Sequence, residues 1–282
     1  MHSLGPGLCS KIKIFFMNKF IMNKLVKAKA EAESLAHVGL FSKTDCYCFF
    51  IGYARSGHSL VASIIDAHPN AVIAQEFPVV DYLRLGYNNR QIKYLTFKHA
   101  KKFYKNDYVV GGYKYHIPNQ HQGSFTDIRV IGTKKGGRKN IFFMKEPNLL
   151  SKIPENTKFV HITRNPYDIM SAMMTKWKKG FNFHFNLFFS ICDANLFIKQ
   201  NISDKNIHNL RHEDFVHEPK REITKLCDFL GLKTCNSYLN DCVSIIKEKP
   251  HERRYEFDWS KEMIERVKEK IEDYNFLKDY TF

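Results

Sequence analysis

The stretch Phe49-Phe50-Ile51-Gly52-Tyr53-Ala54-Arg55-Ser56-Gly57-His58-Ser59-Leu60 constrains this chain more than any other. The apolar run from Cys46 to Ile51 predicts a buried strand. A loop bounded by Gly52 and Gly57 follows, and Leu60, Val61, Ile64 and Ile65 then recur at helical spacing. Strand, glycine-bounded loop and helix N-terminus together make an anion cradle. The loop amides and the first amides of the helix converge on one spot, and the helix dipole favours negative charge there. The spacing is that of a P-loop, G-x-x-x-x-G-K-[ST], with His58 in place of the lysine. That lysine neutralises the β- and γ-phosphates of a triphosphate. Its replacement points to a phosphate ligand other than ATP or GTP.

With 282 residues and 44% of them hydrophobic, the chain can build one large domain or two small ones around a sizeable core. Its 44 Lys and Arg against 29 Asp and Glu leave a net charge of +15. Such an excess attracts nucleic acid, a membrane surface or a small anionic ligand. No zinc-finger, basic-zipper or RNA-recognition signature accompanies it, and the lysines are dispersed, so no nucleic-acid partner is expected. The seven cysteines, Cys9, Cys46, Cys48, Cys192, Cys227, Cys235 and Cys242, form no Cys-x-x-Cys pair. Cys46 and Cys48 fall on one face of the predicted strand, which suits buried thiols better than metal ligands. Reduced thiols point to a reducing, cytoplasmic compartment.

Residues 1–30 hold six lysines and no acid, interleaved with Ile12, Ile14, Phe15, Phe16, Phe20, Ile21, Leu25 and Val26. No run there is long enough to span a bilayer. Four readings stand open: an amphipathic helix on a membrane surface through residues 11–30, an organelle-targeting segment, a leader upstream of a start at Met17 or Met22, and a basic tail docked on the domain. Residues 1–44 are therefore set apart as a basic segment, helical or poorly ordered, and residues 45–282 as one domain. Within that domain strands and helices alternate. Pro69 stops the first helix, Ala71 to Ala74 is a short strand, and Gln75-Glu76 sits at its C-terminal end. Helices are expected over 78–85 and 89–104. Residues 109–138, rich in Gly, Tyr, His and Gln and broken by Ile117-Pro118, read as loops and short strands. Val130-Ile131-Gly132, Ile141 to Lys145, Lys158 to Thr163 and Asn206 to Leu210 read as further strands, with helices after the last two. The alternation predicts an α/β fold, a three-layer P-loop-NTPase-like sandwich with a central, mostly parallel sheet covered on both faces. Ligands in such folds bind outside the C-terminal ends of strands. The loop Arg55 to Ser59, Glu76 and the segment from Arg164 onward all fall there.

At this point the chain resembles the sulfotransferases that use 3′-phosphoadenosine 5′-phosphosulfate (PAPS). Tyr53-Ala54-Arg55-Ser56-Gly57-His58-Ser59 is similar to the R-S-G-x-S form of their phosphosulfate loop, and Asp66-Ala67-His68-Pro69 to the L-x-x-H-P that follows it. Phe159-Val160-His161-Ile162-Thr163-Arg164-Asn165-Pro166-Tyr167-Asp168 resembles the strand and arginine of the 3′-phosphate motif. Lys145-x-Pro147 resembles the lysine-bearing strand end upstream of it. Leu210-Arg211-His212-Glu213-Asp214-Phe215-Val216, Pro219 and Phe229-Leu230-Gly231-Leu232 resemble the C-terminal E-D-L … P … F-L-G segment. The R-S-G-H-S loop, with Val130 to Gly137 as V-I-G-x-K-K-G-G, resembles one sub-group in particular.

The resemblance implies sulfuryl transfer from PAPS to a hydroxyl or amine of a small-molecule or carbohydrate acceptor, leaving 3′,5′-adenosine bisphosphate, with no metal required. Arg55, Ser56, Gly57, His58 and Ser59 are implied to hold the 5′-phosphate, and Arg164 with Ser171 the 3′-phosphate. Ser171 stands seven residues after Arg164 where the family has eight, a displacement of about 100° on a helix. Arg253 and Arg254 are candidates for a basic lid over the nucleotide. For catalysis, Glu76 matches the base of carbohydrate-acting members, His58 is placed to donate to the sulfate, and Lys145 to act on the leaving side with Arg55. Tyr113, His116 and His121 are candidates to line the acceptor pocket. Two rival readings remain: a P-loop nucleotide kinase, and a catalytically inactive sulfotransferase fold that binds an anion or a partner.

Overall fold

A computed structural model describes residues 24–282. The readings that rest on residues 1–23 lie outside the described residues. Residues 24–36 form helix α1, which buries Ala30 and Ser34 and is tied to the body by Glu31 pairing with Arg90 and by Glu33 with Lys98 at 2.8 Å. Among the described residues no helix is long and apolar enough to cross a membrane.

The chain then alternates through β1 (Cys46–Gly52), α2 (His58–Asp66), β2 (Ala71–Gln75), α3 (Val79–Arg84) and α4 (Asn89–Lys105). A short hairpin, β3 (Val109–Val110) and β4 (Tyr113–Lys114), precedes β5 (Val130–Lys134), α5 (Ile141–Lys145), β6 (Thr157–Thr163), α6 (Pro166–Trp177), α7 (Phe181–Asn201) and β7 (Ile207–Arg211). Helices α8 (His212–His217), α9 (Pro219–Leu230), α10 (Asn236–Val243) and α11 (Lys261–Ile271) complete the fold. The five long strands form one parallel sheet in the order β2-β5-β1-β6-β7.

Every residue of β1 is buried, and its side chains alternate between two cores. Tyr47, Phe49 and Ile51 pack with Val79, Val80, Leu83 and Ile92 of α3 and α4. Cys46, Cys48 and Phe50 pack with Val61, Ile64 and Ile65 of α2 and with Ile223 and Leu226 of α9. Burial on both faces is why this strand reads as an unbroken apolar run, and it makes the sheet the middle of three layers. Both thiols of the strand are free and buried, as their alternation predicts.

From β1 the chain first fills one side of the sheet with β2 and β5, then crosses to the other side with β6 and β7. That reversal leaves a crevice beyond the C-terminal end of β1, where open α/β sheets place their ligands. One expected strand is absent. Ile141 to Lys145 is helix α5, entered through a 3-10 turn at Gly137–Asn140. A five-residue apolar run fits strand and buried helix alike. Here β1 already has β5 and β6 as its two neighbours, so the segment packs on α7 instead.

Candidate active site

Beyond Gly52 the chain folds back over the end of β1. Tyr53 anchors the turn, fully buried with its ring 4.7 Å from that of Phe188. The Ser56 hydroxyl donates back to the Tyr53 carbonyl at 2.8 Å. Arg55 and Gly57 both take left-handed backbone, at φ 72° and 95°. Gly57 is the N-cap of α2, and a Cβ there would lie 2.6 Å from Nδ1 of His212. Only glycine lets the loop close this tightly against the start of α8. The amides of His58 and Ser59 open the helix and have no acceptor within it.

These residues line a cavity of about 500 Å³. Its other walls come from the ends of three more elements: Glu76 after β2, Lys134 to Lys139 at and after β5, and Arg164 after β6. The β3–β4 hairpin covers one side with Tyr113, and Lys176 arrives from the last turn of α6. Seven Lys and Arg side chains therefore face the space: Arg55, Lys134, Lys135, Arg138, Lys139, Arg164 and Lys176. Glu76 is the single carboxylate among the lining residues. It pairs with Lys134 and with Lys135 (3.0 Å), while Lys139 pairs with Asp81 at 2.8 Å. Arg55, Arg138 and Lys176 have no carboxylate partner among the described residues, while Arg164 has Asp168 and Glu213 close enough to oppose its loss of charge without a direct ion pair. A cluster of like charges, partly desolvated and short of counter-ions, is costly to assemble unless an anion enters it.

Arg164 is 8% exposed. Its guanidinium donates to the Arg55 carbonyl at 3.0 Å and to the His251 carbonyl, so it ties the loop to the segment before α11. Burial pulls its pKa down, and Asp168 and Glu213 oppose that. An arginine stays charged through such a shift. The Nε atoms of Arg55 and Arg164 are buried without a partner. Buried donors of this kind are normally satisfied; the Nε atoms of Arg211 and Arg254, which do not line this cavity, are likewise without a hydrogen-bond partner.

Burial also pushes the Glu76 carboxyl up, but the Lys134 and Lys135 ammoniums outweigh it and hold the group below its usual value. Lys134 is nearly enclosed, and desolvation lowers its pKa while Glu76 opposes the change.

The structure moves several residues from their sequence-predicted roles. His58 lines the cavity, but its Nε2 lies 3.4 Å from the Ile51 carbonyl and its ring stands edge-on to Phe50. Desolvation first, then Lys134, drops its pKa to about 4, so the ring is neutral at pH 7. Ser56 supports the loop from within. Ser171 is fully buried and its hydroxyl accepts from Trp259 Nε1 at 2.9 Å. Ser171 does not line the cavity that Arg164 lines.

Arg254 is clamped on Asp168 of α6, through its amide at 2.8 Å and its Nη1 at 2.9 Å, and Arg253 reaches toward Glu256. Arg254 fastens the 3-10 turn at Arg253–Glu256 to α6; neither arginine lines the cavity, although the charge of Arg253 is felt by Tyr113 and Arg164, which do. His116 is exposed with its ring 4.8 Å from that of Tyr108, and the His121 amide donates to the Ala67 carbonyl. Neither lines the cavity, because the Ile117 amide bonds to Gln122 Oε1 and folds the loop inward between them. Tyr113 does line it, with the Arg55 guanidinium 5.7 Å from its ring. Lys145, at the end of α5, faces a different cavity. Lys176 and Lys139 carried no motif. They reach the site only through the packing of the hairpin and of α5.

Residues 48–236 match the model of a sulfotransferase family, described as Sulfotransfer_3. The chain belongs to the sulfotransferase family. The fold of this sulfotransferase is similar to that of the sulfotransferase domain from the curacin biosynthetic pathway, at TM-score 0.50 and 13% identity over 83% of this chain and 99% of that one. It is also similar to sulfotransferase STF1 from Mycobacterium tuberculosis, at TM-score 0.50 and 12% identity over 93% and 86% of the two chains. STF9 from Mycobacterium avium aligns at TM-score 0.50 and 10% identity over 87% and 81%. At these identities the likeness establishes the α/β fold. A comparison with curated proteins returns no match.

Proposed function

We propose that this sulfotransferase moves a sulfuryl group from PAPS to a hydroxyl or amine of a small-molecule or carbohydrate acceptor. The observation that carries the reading is the pair of buried, unpartnered guanidinium Nε atoms of Arg55 and Arg164 on one cation-lined cavity. The two arginines stand at the ends of the adjacent strands β1 and β6, where each can take one anionic group of a single ligand. Arg55 and the amides of Gly57, His58 and Ser59 would hold the 5′-phosphate, and Arg164 the 3′-phosphate. When bound, PAPS supplies the activated sulfuryl group. The residues' task is to hold the leaving phosphate, orient the acceptor and stabilise charge on the leaving side. Lys134 and Lys176 add positive charge at the same cavity.

Glu76 is assigned as the general base that takes the acceptor's proton. Its lysine neighbours keep it ionised at neutral pH. The sign of its pH dependence follows: a base is active when deprotonated, so activity rises as pH rises through the Glu76 pKa and is flat above it. With that pKa below the usual carboxylate value, no acid limb from this group falls between about pH 6 and pH 8.

A specific observation also favours a second reading, an anion-binding fold without turnover: two lysines pin Glu76, which weakens it as a base. The substitution Glu76→Gln separates the two. With PAPS and a panel of hydroxyl and amine acceptors, the base assignment predicts a fall in kcat of about a hundredfold or more with undiminished nucleotide affinity. Turnover within a few-fold of the parent would reduce Glu76 to a counter-ion of Lys134. No release of the bisphosphate with any acceptor would leave the binding fold as the answer.

A further inference from the structure

A second cavity of about 590 Å³ adjoins the first, and Arg138 and Lys139 line both. One wall is apolar, built from Ile141 and Phe142 of α5 and from Phe183 and Leu187 of α7. Phe183 is 50% exposed, an unusual amount for a phenylalanine on an otherwise well-packed helix. The opposite character comes from Arg138, Lys139 and Lys145, and no carboxylate lines the space. The acids nearby are already engaged: Asp81 with Lys139, and Glu146 with Arg84 at 2.7 Å. Arg138 and Lys145 make no ion pair or side-chain hydrogen bond among the described residues. An open apolar wall facing two unpaired cations is the shape of a site for a molecule with an apolar body and a negative end.

We propose that this cavity receives the acceptor, and that the acceptor is an anionic amphiphile. Its ring or chain lies on Phe142, Phe183 and Leu187. Its carboxylate, sulfate or phosphate is held by Arg138 and Lys145, and its hydroxyl or amine points across the shared wall to the first cavity. The inference rests on the sulfuryl-transfer reading above, and it gives Lys145 a role in acceptor selection.

Three fluorescent probes of one shape test it: 6-hydroxy-2-naphthoate, neutral 2-naphthol and cationic 6-(aminomethyl)-2-naphthol. Each is titrated into the full chain saturated with 3′,5′-adenosine bisphosphate, so that binding is read without turnover. The naphthoate is expected to bind about tenfold or more tighter than 2-naphthol, and the cation weakest. Lys145→Ala should erase the naphthoate's advantage while 2-naphthol binds as before, and Arg138→Ala should weaken the naphthoate likewise. Equal binding of the three probes, no binding of any, or an equal loss for all three in Lys145→Ala would overturn the proposal. A variant with a lowered melting temperature is replaced by Lys145→Gln, which keeps the stem. Failure of the bisphosphate itself to bind is a separate result that strikes the nucleotide reading.

Discussion

Arg55→Ala and Arg164→Ala should each weaken 3′,5′-adenosine bisphosphate binding by about 2–3 kcal/mol, roughly thirty- to a hundred-and-fiftyfold, with kcat/KM falling at least as far. The magnitude comes from removing a charge-assisted, fork-shaped contact from a cavity in which both Nε donors are buried and unpartnered. The two variants should differ in stability. Arg55 contributes a side chain over the Tyr113 ring, and its loss should leave the free protein's melting temperature nearly unchanged. Arg164 joins the Arg55 carbonyl to the His251 carbonyl, so its removal also frees the segment that Arg254 fastens to Asp168. Arg164→Lys should recover little of the affinity, because an ammonium cannot bridge two carbonyls and still offer a planar fork to a phosphate. Titration calorimetry on the two variants, paired with thermal melts of the free proteins, checks both parts. Normal nucleotide affinity in both would mean that the ligand lies elsewhere.

Gly52→Ala should be among the most damaging single-methyl changes in the molecule. At φ 137° the backbone is in a region that side chains rarely adopt, and a Cβ would sit 2.6 Å from the Ile162 carbonyl oxygen and 2.8 Å from Nε2 of His58. The first of these is main chain of the neighbouring strand β6 and cannot swing aside. Backbone strain and the forced separation of β1 from β6 together should cost about 2–4 kcal/mol. That corresponds to a fall in melting temperature of about 3–7 °C for a chain of this size. Because His58 opens α2, displacing its ring also moves the amides that form the cradle. Nucleotide affinity should therefore fall even at temperatures where the variant is folded. Gly39→Ala is the control: no atom lies within 4 Å of a Cβ there, and its melting temperature should match the parent's within error.

How far such features are readable without coordinates depends on whether they are local. The cradle is local. Strand, glycine spacing and helix start follow within a dozen residues, so Arg55 to Ser59 could be placed between the end of β1 and the start of α2 from the chain alone. Arg164 was readable for the same reason, since an apolar run ends on Thr163-Arg164 and Pro166 opens the next helix. Glu76 was placed at a strand end, where it stands, but its two lysines come from the end of β5, nearly sixty residues away, and lower its basicity.

The misplacements share a physical cause, which is that side-chain direction is decided by packing. Ser171 had a motif to match and one residue of helical phase against it. Phase prevailed, and the Ser171 hydroxyl accepts from the Trp259 indole N–H instead. Lys145 was assigned to a strand end on a run too short to show a period, and the sheet had no vacant edge beside β1 to receive it. Arg253 and Arg254 looked like free basic residues, yet Asp168 claims the second of them. Lys176, Lys139 and the whole second cavity depend on α5, α6, α7 and the hairpin meeting in space, and nothing in their own sequences marks them.

In the proposed function, the loop from Gly52 to Ser59 serves a nucleotide with two separate anionic groups. The most direct measurement is a calorimetric titration of the full chain with 3′,5′-adenosine bisphosphate, run beside ATP with magnesium. The bisphosphate should saturate one site and bind at least about tenfold tighter than ATP, and at a hundred times its Kd should raise stability by about 2.7 kcal/mol. No heat and no thermal shift at millimolar bisphosphate, or a preference for magnesium-ATP, would contradict the claim.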